Sequence, residues 1–185
     1  MSTATPRARR TLERRRRILD IALAIAEAEG WDAVTTRRLA DAIDYSQPVI
    51  YQHFANRDEL IRALVLEGFE ALSARIEKLK DAEGWASLTD ACRAYLGFAA
   101  ERPSLYEAMF SRPTALKFAD DDTPPQLRAA FESLSSLVPH PIGAEREAAA
   151  ERVWACCHGL ATLRAAGRIP ATRLDDHIHA IAKLV

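Results

Sequence analysis

The residues with the clearest capacity for chemistry lie between Thr35 and Arg57. Gln47, Pro48 and Tyr51 fall on one outward face of a short helix that Ser46 can cap, and His53 lies near its end. A glutamine amide can bond an adenine edge at two points, and a small apolar group packs on a thymine methyl. Thr36, Arg37 and Arg38 begin the preceding helix, where backbone N–H groups and cations both favour phosphate. The two helices meet at Asp44-Tyr45, which makes a helix-turn-helix. Such a unit needs a tight turn, inward apolar residues and outward polar residues at the start of its second helix. All three are present. The chemistry is recognition of double-stranded DNA through the major groove. Any two short helices flanking a polar turn share this outline, so pattern alone leaves a purely structural role open.

The elements that position these groups follow from periodicity. Ile18, Ile21, Ala22, Ile25 and Ala26 recur at i, i+3, i+4, i+7, i+8, which predicts an amphipathic helix from about Thr11 to Glu29, stopped by Gly30. Thr35 caps the next helix, with Val34 and Leu39 at the two positions of a hydrophobic staple. Leu39, Ala40, Ile43, Ile50 and Phe54 point inward. Asn56 begins a long helix whose first turn is acidic. Further helices are expected at 85–101, 104–111, 124–138 and 145–166 and from about 171 to the end. Polar loops are expected at 112–123 and 139–143. The fold class is all-α, with about nine helices.

Charge divides the chain the same way. Residues 1–57 carry ten basic and seven acidic side chains, whereas residues 58–185 carry fifteen and nineteen. Seven arginines fall in the first nineteen residues beside Glu13 alone. A basic head on a mildly acidic body suits a polyanion at one end only. No stretch approaches the ~20 apolar residues of a membrane span. Three cysteines, two of them adjacent, do not make a disulfide framework, and a reducing cytoplasm is expected. No cofactor is implied. Cys156-Cys157-His158 looks like a metal motif, but adjacent helical positions point about 100° apart and cannot converge on one ion. His177 and His179 meet the same objection, so no metal is expected.

The stretch from Val34 to Leu60 (VTTRRLADAIDYSQPVIYQHFANRDEL) resembles the DNA-binding domain of the TetR family of transcriptional regulators. Its marks are the Thr-Thr cap, the Leu-Ala pair, the Tyr-x-His-Phe core and a basic residue before Glu-Leu, and the likeness covers about residues 12–66. The resemblance implies a homodimer, each subunit with a three-helix DNA head and a helical ligand-binding body. By position, Arg37 and Gln47 would touch bases and Pro48 a thymine methyl. Thr36, Tyr51, His53 and Arg57 would hold phosphates. Asp44 departs from the glycine usual at the turn, Val49 from a small polar residue, and Arg57 from lysine.

In the body, Trp154, His158 and Gly159 resemble one C-terminal domain type of that family. Trp154 and His158, Phe98 and Arg102, and Tyr106 and Phe110 are i, i+4 pairs that either line a ligand pocket or belong to the core. Ala155, Gly159, Thr162 and Ala166 form a stripe of small residues, and a last helix adds Leu174, Ile178, Ile181 and Val185. These two stripes are expected to form the dimer interface, Ile178 and Ile181 included. The alternative is that both face the subunit's own core.

The expected organisation is a flexible basic arm at 1–10, a helix-turn-helix domain at 11–57 and a ligand-binding and dimerisation domain at 58–185. The expected function is a non-enzymatic, dimeric repressor that releases a palindromic operator when a small-molecule effector binds. The rival is a helical carrier or enzyme whose head serves only assembly. Against it stand the lack of a Ser/His/Asp set, a glycine-rich phosphate loop or metal-ligand spacing.

Overall fold

A computed structural model describes residues 5–80, 87–112, 116, 121–139 and 143–185. Within them the chain is helical, with no strand. The head comprises α1 (Pro6–Glu29), α2 (Thr36–Ile43) and α3 (Gln47–Tyr51). The body comprises α4 (Arg57–Glu77), α5 (Leu88–Glu101), α6 (Pro103–Phe110), α7 (Pro125–Ser135), α8 (Ala144–Ala165) and α9 (Leu174–Ala182). The start of the helix expected at 85–101 and much of the loops expected at 112–123 and 139–143 lie outside the described residues.

The basic arm expected at 1–10 is instead helical from Pro6. Thr5 caps α1 by accepting a hydrogen bond from the Ala8 N–H, and Pro6 occupies the first helical position, where no intrahelical bond is lost. The arginine-rich segment that follows has good helix propensity, so α1 begins at Pro6, well before the Thr11 that apolar periodicity alone indicates. Met1–Ala4 lie outside the described residues.

The turn of the head is set locally. Thr35 Oγ1 accepts from the Arg38 N–H at 3.1 Å. α2 ends at Asp44, which takes the left-handed conformation (φ 56°, ψ 43°). Leu39, Ala40, Ile43, Ile50 and Phe54 are buried with Ile18, Ala22 and Ile25 of α1, which fixes the angle between α2 and α3. Asn56 Oδ1 accepts from the Glu59 N–H at 2.8 Å, and a Glu59 carboxylate oxygen accepts in turn from the Ala55 N–H at 2.6 Å. This reciprocal cap starts α4, the long helix that belongs to both head and body.

Besides the continuous helix α4, α6 joins head and body. The Trp31 indole N–H donates to the Ser104 carbonyl at 3.0 Å, and Ser104 Oγ donates to the Ala26 carbonyl at 3.2 Å. On its other side α6 presses against α4 at Gly68. A Cβ there would lie 2.6 Å from Met109 Sδ and 3.3 Å from a Leu105 methyl, so only hydrogen fits without displacement. An ion pair from Arg16 to Glu67 at 2.7 Å adds a further tie, while Arg75 to Glu101 at 2.6 Å and Arg93 to Asp175 at 3.2 Å link helices within the body. All are partly exposed, so each contributes little.

The strain at Asp44 gives a direct test of the turn. Asp44→Gly removes a Cβ from a left-handed backbone and should raise unfolding stability by ~0.5–1 kcal/mol, read from the urea midpoint. A lower midpoint would show that the Asp44 side chain stabilises the turn.

Candidate DNA-binding face and small-molecule cavity

The outward face of the head separates groups that are available from groups already committed. Arg37, Gln47, Pro48 and Tyr51 are exposed. Among the described residues, Arg37 and Gln47 have no hydrogen-bond or ion-pair partner. Thr36 Oγ1 and Tyr51 Oη lie 3.4 Å apart, which places two hydroxyls side by side at the start of α2 and the end of α3. Such a pair suits phosphate oxygens.

Two cations of the expected set are committed within the head. Arg38 makes a two-point pair with Glu29 at 2.6 and 3.3 Å, and this hydrogen bonding holds the Glu29 carboxyl below its ordinary range. The Arg57 guanidinium donates to the Trp31 carbonyl, stands 3.8 Å from the Asp32 carboxylate, and buries an unpartnered Nε. Both hold the end of α1 and the following turn against their neighbours, so neither is free to meet phosphate as placed. His53 is half-buried, and its carbonyl accepts from Arg15 at 3.0 Å. Burial, then the charges of Arg14 and Arg15, push the His53 imidazole below its ordinary pKa.

Arg7 and Arg10, expected in a flexible arm, are placed instead by α1, on the same helix as Arg14. Arg7, Arg10, Thr11 and Arg14 line a polar hollow of about 360 Å³ with Gln52 and His53. The signal was the arginine-rich leader itself. Its helical continuity puts one arginine per turn beside the end of α3. Arg15, also on α1, lies 4.2 Å over the Phe54 ring and braces the same corner.

In the body a cavity of about 700 Å³ opens among α4, α5, α6, α7 and α8. Its apolar wall includes Leu72, Ile76, Leu127 and Leu134, and its aromatic wall Tyr95, Phe110, Phe131 and Trp154. Of the expected pocket residues, Phe110 and Trp154 line it directly. Tyr106 and His158 stand behind the wall. The Trp154 indole N–H donates to Tyr95 Oη at 3.2 Å, the Tyr95 and Tyr106 hydroxyls lie 2.9 Å apart, and Tyr106 Oη lies 2.8 Å from His158 Nδ1. Burial pushes the Tyr95 and Tyr106 phenols up and the His158 imidazole down, so all three are neutral near pH 7.

Phe98 and Arg102 do not reach this cavity. Phe98 is buried in the core, and the Arg102 guanidinium lies 6.0 Å over its ring. One turn earlier on α5, Tyr95 occupies the place expected of Phe98. The periodicity of α5 marks both as inward and does not tell which inward direction opens on a void. Glu147 and Glu151 also line the cavity; they precede Trp154 at i−7 and i−3, a spacing visible in the sequence.

The two proposed interface stripes separate. Ala155, Thr162 and Ala166 are exposed, and Gly159 is half-buried with no heavy atom within 4 Å of where a Cβ would sit. Ile178 and Ile181 are buried at 0% and 6% exposure in the subunit's own core. The Leu174–Val185 stripe is therefore the inner face of α9, as the alternative had it. Among the described residues there is no cluster of three His, Cys, Asp or Glu able to hold a metal ion, and no helix is long and apolar enough to cross a membrane.

Comparison with known proteins places both halves of the chain. Residues 18–64 match the family model described as bacterial regulatory proteins, tetR family, and residues 88–184 match that of a tetracyclin repressor-like C-terminal domain. The transcriptional repressor KstR of Mycolicibacterium smegmatis is 35% identical over 72 residues, which cover 39% of this chain and 35% of that protein. The nucleoid occlusion factor SlmA of Actinobacillus pleuropneumoniae is 26% identical over 125 residues, 66% of this chain and 61% of that protein. The chain thus spans about a third to three fifths of these relatives. Protein SCO4313 superposes with a TM-score of 0.80 at 21% identity, over 98% of this chain and 99% of its own. The multidrug binding protein EbrR, in complex with imidazole, superposes with a TM-score of 0.63 at 21% identity, over 94% and 90%.

The exposed face yields a test of base against phosphate contact. Gln47→Ala and Arg37→Ala should each cost ~1–3 kcal/mol on a specific site and much less on random DNA. Tyr51→Phe should weaken both to a similar extent. Titration of both DNAs with each variant decides it, and equal losses for Gln47→Ala would remove that residue from base recognition.

Proposed function

The chain belongs to the TetR family of bacterial regulatory proteins, and we propose that it acts as a dimeric repressor that leaves its operator when a small molecule enters the cavity. The observation that carries this reading is the double engagement of α6. One end of that helix is hydrogen-bonded to the head at Trp31 and Ala26, and the other ends at Phe110 in the cavity wall. A ligand that displaces Phe110 must either repack the cavity or move α6. Moving α6 changes how the head sits on the body.

In this reading Gln47, Pro48 and Arg37 meet base edges, while Thr36 and Tyr51 meet phosphates. Arg7, Arg10 and Arg14 add phosphate contacts from α1. Two heads joined by a dimer read half-sites about one helical turn, roughly 34 Å, apart. A ligand with higher affinity for another head spacing shifts the population away from the DNA-bound form, and by linkage the operator weakens ligand binding equally. The small-residue face of α8 is the proposed dimer seam, with closest approach at Gly159. The relatives named transcriptional repressors support the sign of regulation, and a cytoplasmic location accords with a protein that meets the chromosome.

Two measurements test this. Fragments selected from total genomic DNA should share one palindromic sequence, and fragments without a common sequence would overturn operator recognition. Gly159→Leu places an isobutyl group in the seam of each subunit, at ~1–3 kcal/mol of overpacking applied twice across the twofold axis. The variant should sediment partly as monomer and lose the avidity of two tethered heads. A variant that remains fully dimeric with normal operator affinity would move the seam away from Gly159.

A further inference from the structure

We propose that the cavity takes a lipophilic cation: a ligand with an aromatic body and one delocalised or tertiary positive charge. The inference rests on the cavity being the effector site. Charge, ring faces and hydrogen-bond polarity each point the same way.

Charge comes first. Among the described residues, the lining holds three carboxylates, Asp121, Glu147 and Glu151, and the one guanidinium of Arg128. Arg128 donates to the backbone carbonyl of Asp121, so part of its hydrogen-bonding capacity is turned toward its own loop. Glu147, Glu151 and Trp154 stand at i, i+4 and i+7 on α8 and therefore share one face of that helix. Among the described residues neither glutamate carboxylate has an ion-pair or hydrogen-bond partner. Two like charges one turn apart repel each other, and a cation entering between them relieves that repulsion. An anion would add to it.

The wall supplies the rest of the site. Tyr95, Phe110, Phe131 and Trp154 present four aromatic rings to one cavity, and ring faces carry negative potential. A cation set against such faces is attracted more strongly as water is excluded. The apolar residues of α4 and α7 take the ligand's hydrophobic body. A volume of about 700 Å³ suits a molecule of several rings rather than a bare ion.

Hydrogen-bond polarity is set by the chain of hydroxyls behind the wall. Trp154 N–H can only donate, so Tyr95 Oη accepts from it. The Tyr95 proton then has one buried acceptor, Tyr106 Oη, and the Tyr106 proton has His158 Nδ1. Every hydroxyl is satisfied only when the proton of neutral His158 sits on Nε2. In the opposite order Tyr95 would hold a buried proton with no acceptor among these groups, at a cost. With its proton directed at Tyr106 and its oxygen accepting from Trp154, Tyr95 presents no free donor to the cavity. The carboxylates and ring faces thus present negative potential, unopposed by any donor from Tyr95 or Trp154, and the exposed Glu147 and Glu151 stand where that potential meets solvent.

The test uses two ions of one shape and opposite charge, tetraphenylphosphonium and tetraphenylborate, in equilibrium dialysis against the full chain. The phosphonium should bind about tenfold more tightly than the borate. A Glu147→Gln, Glu151→Gln double variant alters only side chains that reach solvent, so it should fold normally; thermal unfolding verifies this. It should lose about fivefold of the phosphonium affinity, with the borate unchanged or improved. Equal or tighter borate binding overturns the proposal, as does phosphonium affinity unchanged in the double variant. Operator release separates this from the broader reading. Release by the borate alone would overturn the cationic class and leave a ligand-responsive repressor standing. Failure of the ligand-free protein to bind any DNA would overturn the repressor, while a phosphonium preference measured on the same sample would still support a cation-binding cavity.

Discussion

The short helix α6 is held at both ends, and the rest of the molecule is arranged around that constraint. Its first turn presents the Ser104 carbonyl to the Trp31 indole and the Ser104 hydroxyl to the Ala26 carbonyl. Its last residue is Phe110, in the cavity wall. Eight residues make a rod of roughly 12 Å, short enough to move as one body. Its flank is equally fixed, because the hydrogen of Gly68 is all that separates α4 from Met109. A change at the cavity can therefore pass along α6 to the end of α1, from which the recognition unit hangs, beside the route along α4, whose Leu72 and Ile76 line the same cavity.

The head divides its polar groups between cohesion and recognition. Arg38 and Arg57 lie close to the recognition surface, yet their guanidinium groups meet Glu29, Trp31 and Asp32. They lock the turn after α1 against the start of α2 and of α4. Rigidity obtained this way lets the outward residues remain unpaired: Arg37 and Gln47 meet DNA without first breaking an internal bond. The body has the same division. Tyr106 and His158 saturate one another and Tyr95, so the phenol and indole donors of the cavity wall are already committed.

Local chemistry was legible from residue types, and nonlocal geometry was not. The caps at Thr35 and Asn56 depend on neighbours within four residues, so they could be placed from the sequence. The start of α1 was missed because apolar periodicity fades before Ile18, while Thr5 and Pro6 form a helix start that needs no apolar face. The cavity draws its lining from five helices. Trp154 and Phe110 were identifiable by type, but choosing Tyr95 over Phe98 requires knowing where the helices part. Ile178 and Ile181 show the matching ambiguity. An apolar stripe announces burial without saying whether the same subunit or a partner covers it, and here the same subunit does.

The central claim is that cavity and head communicate through α6, and a double-mutant cycle tests it without any ligand. Ala130→Trp fills the cavity from α7, and Trp31→Phe cuts the hydrogen bond to Ser104 while keeping an aromatic ring in place. Operator affinity is measured for the wild type, each single variant and the pair. If α6 carries the signal, filling the cavity weakens operator binding, and it weakens it less once the Trp31 bond is absent, with a non-additivity of ~0.5–2 kcal/mol. Additivity within ~0.3 kcal/mol would contradict the account and separate the cavity from the DNA-binding head.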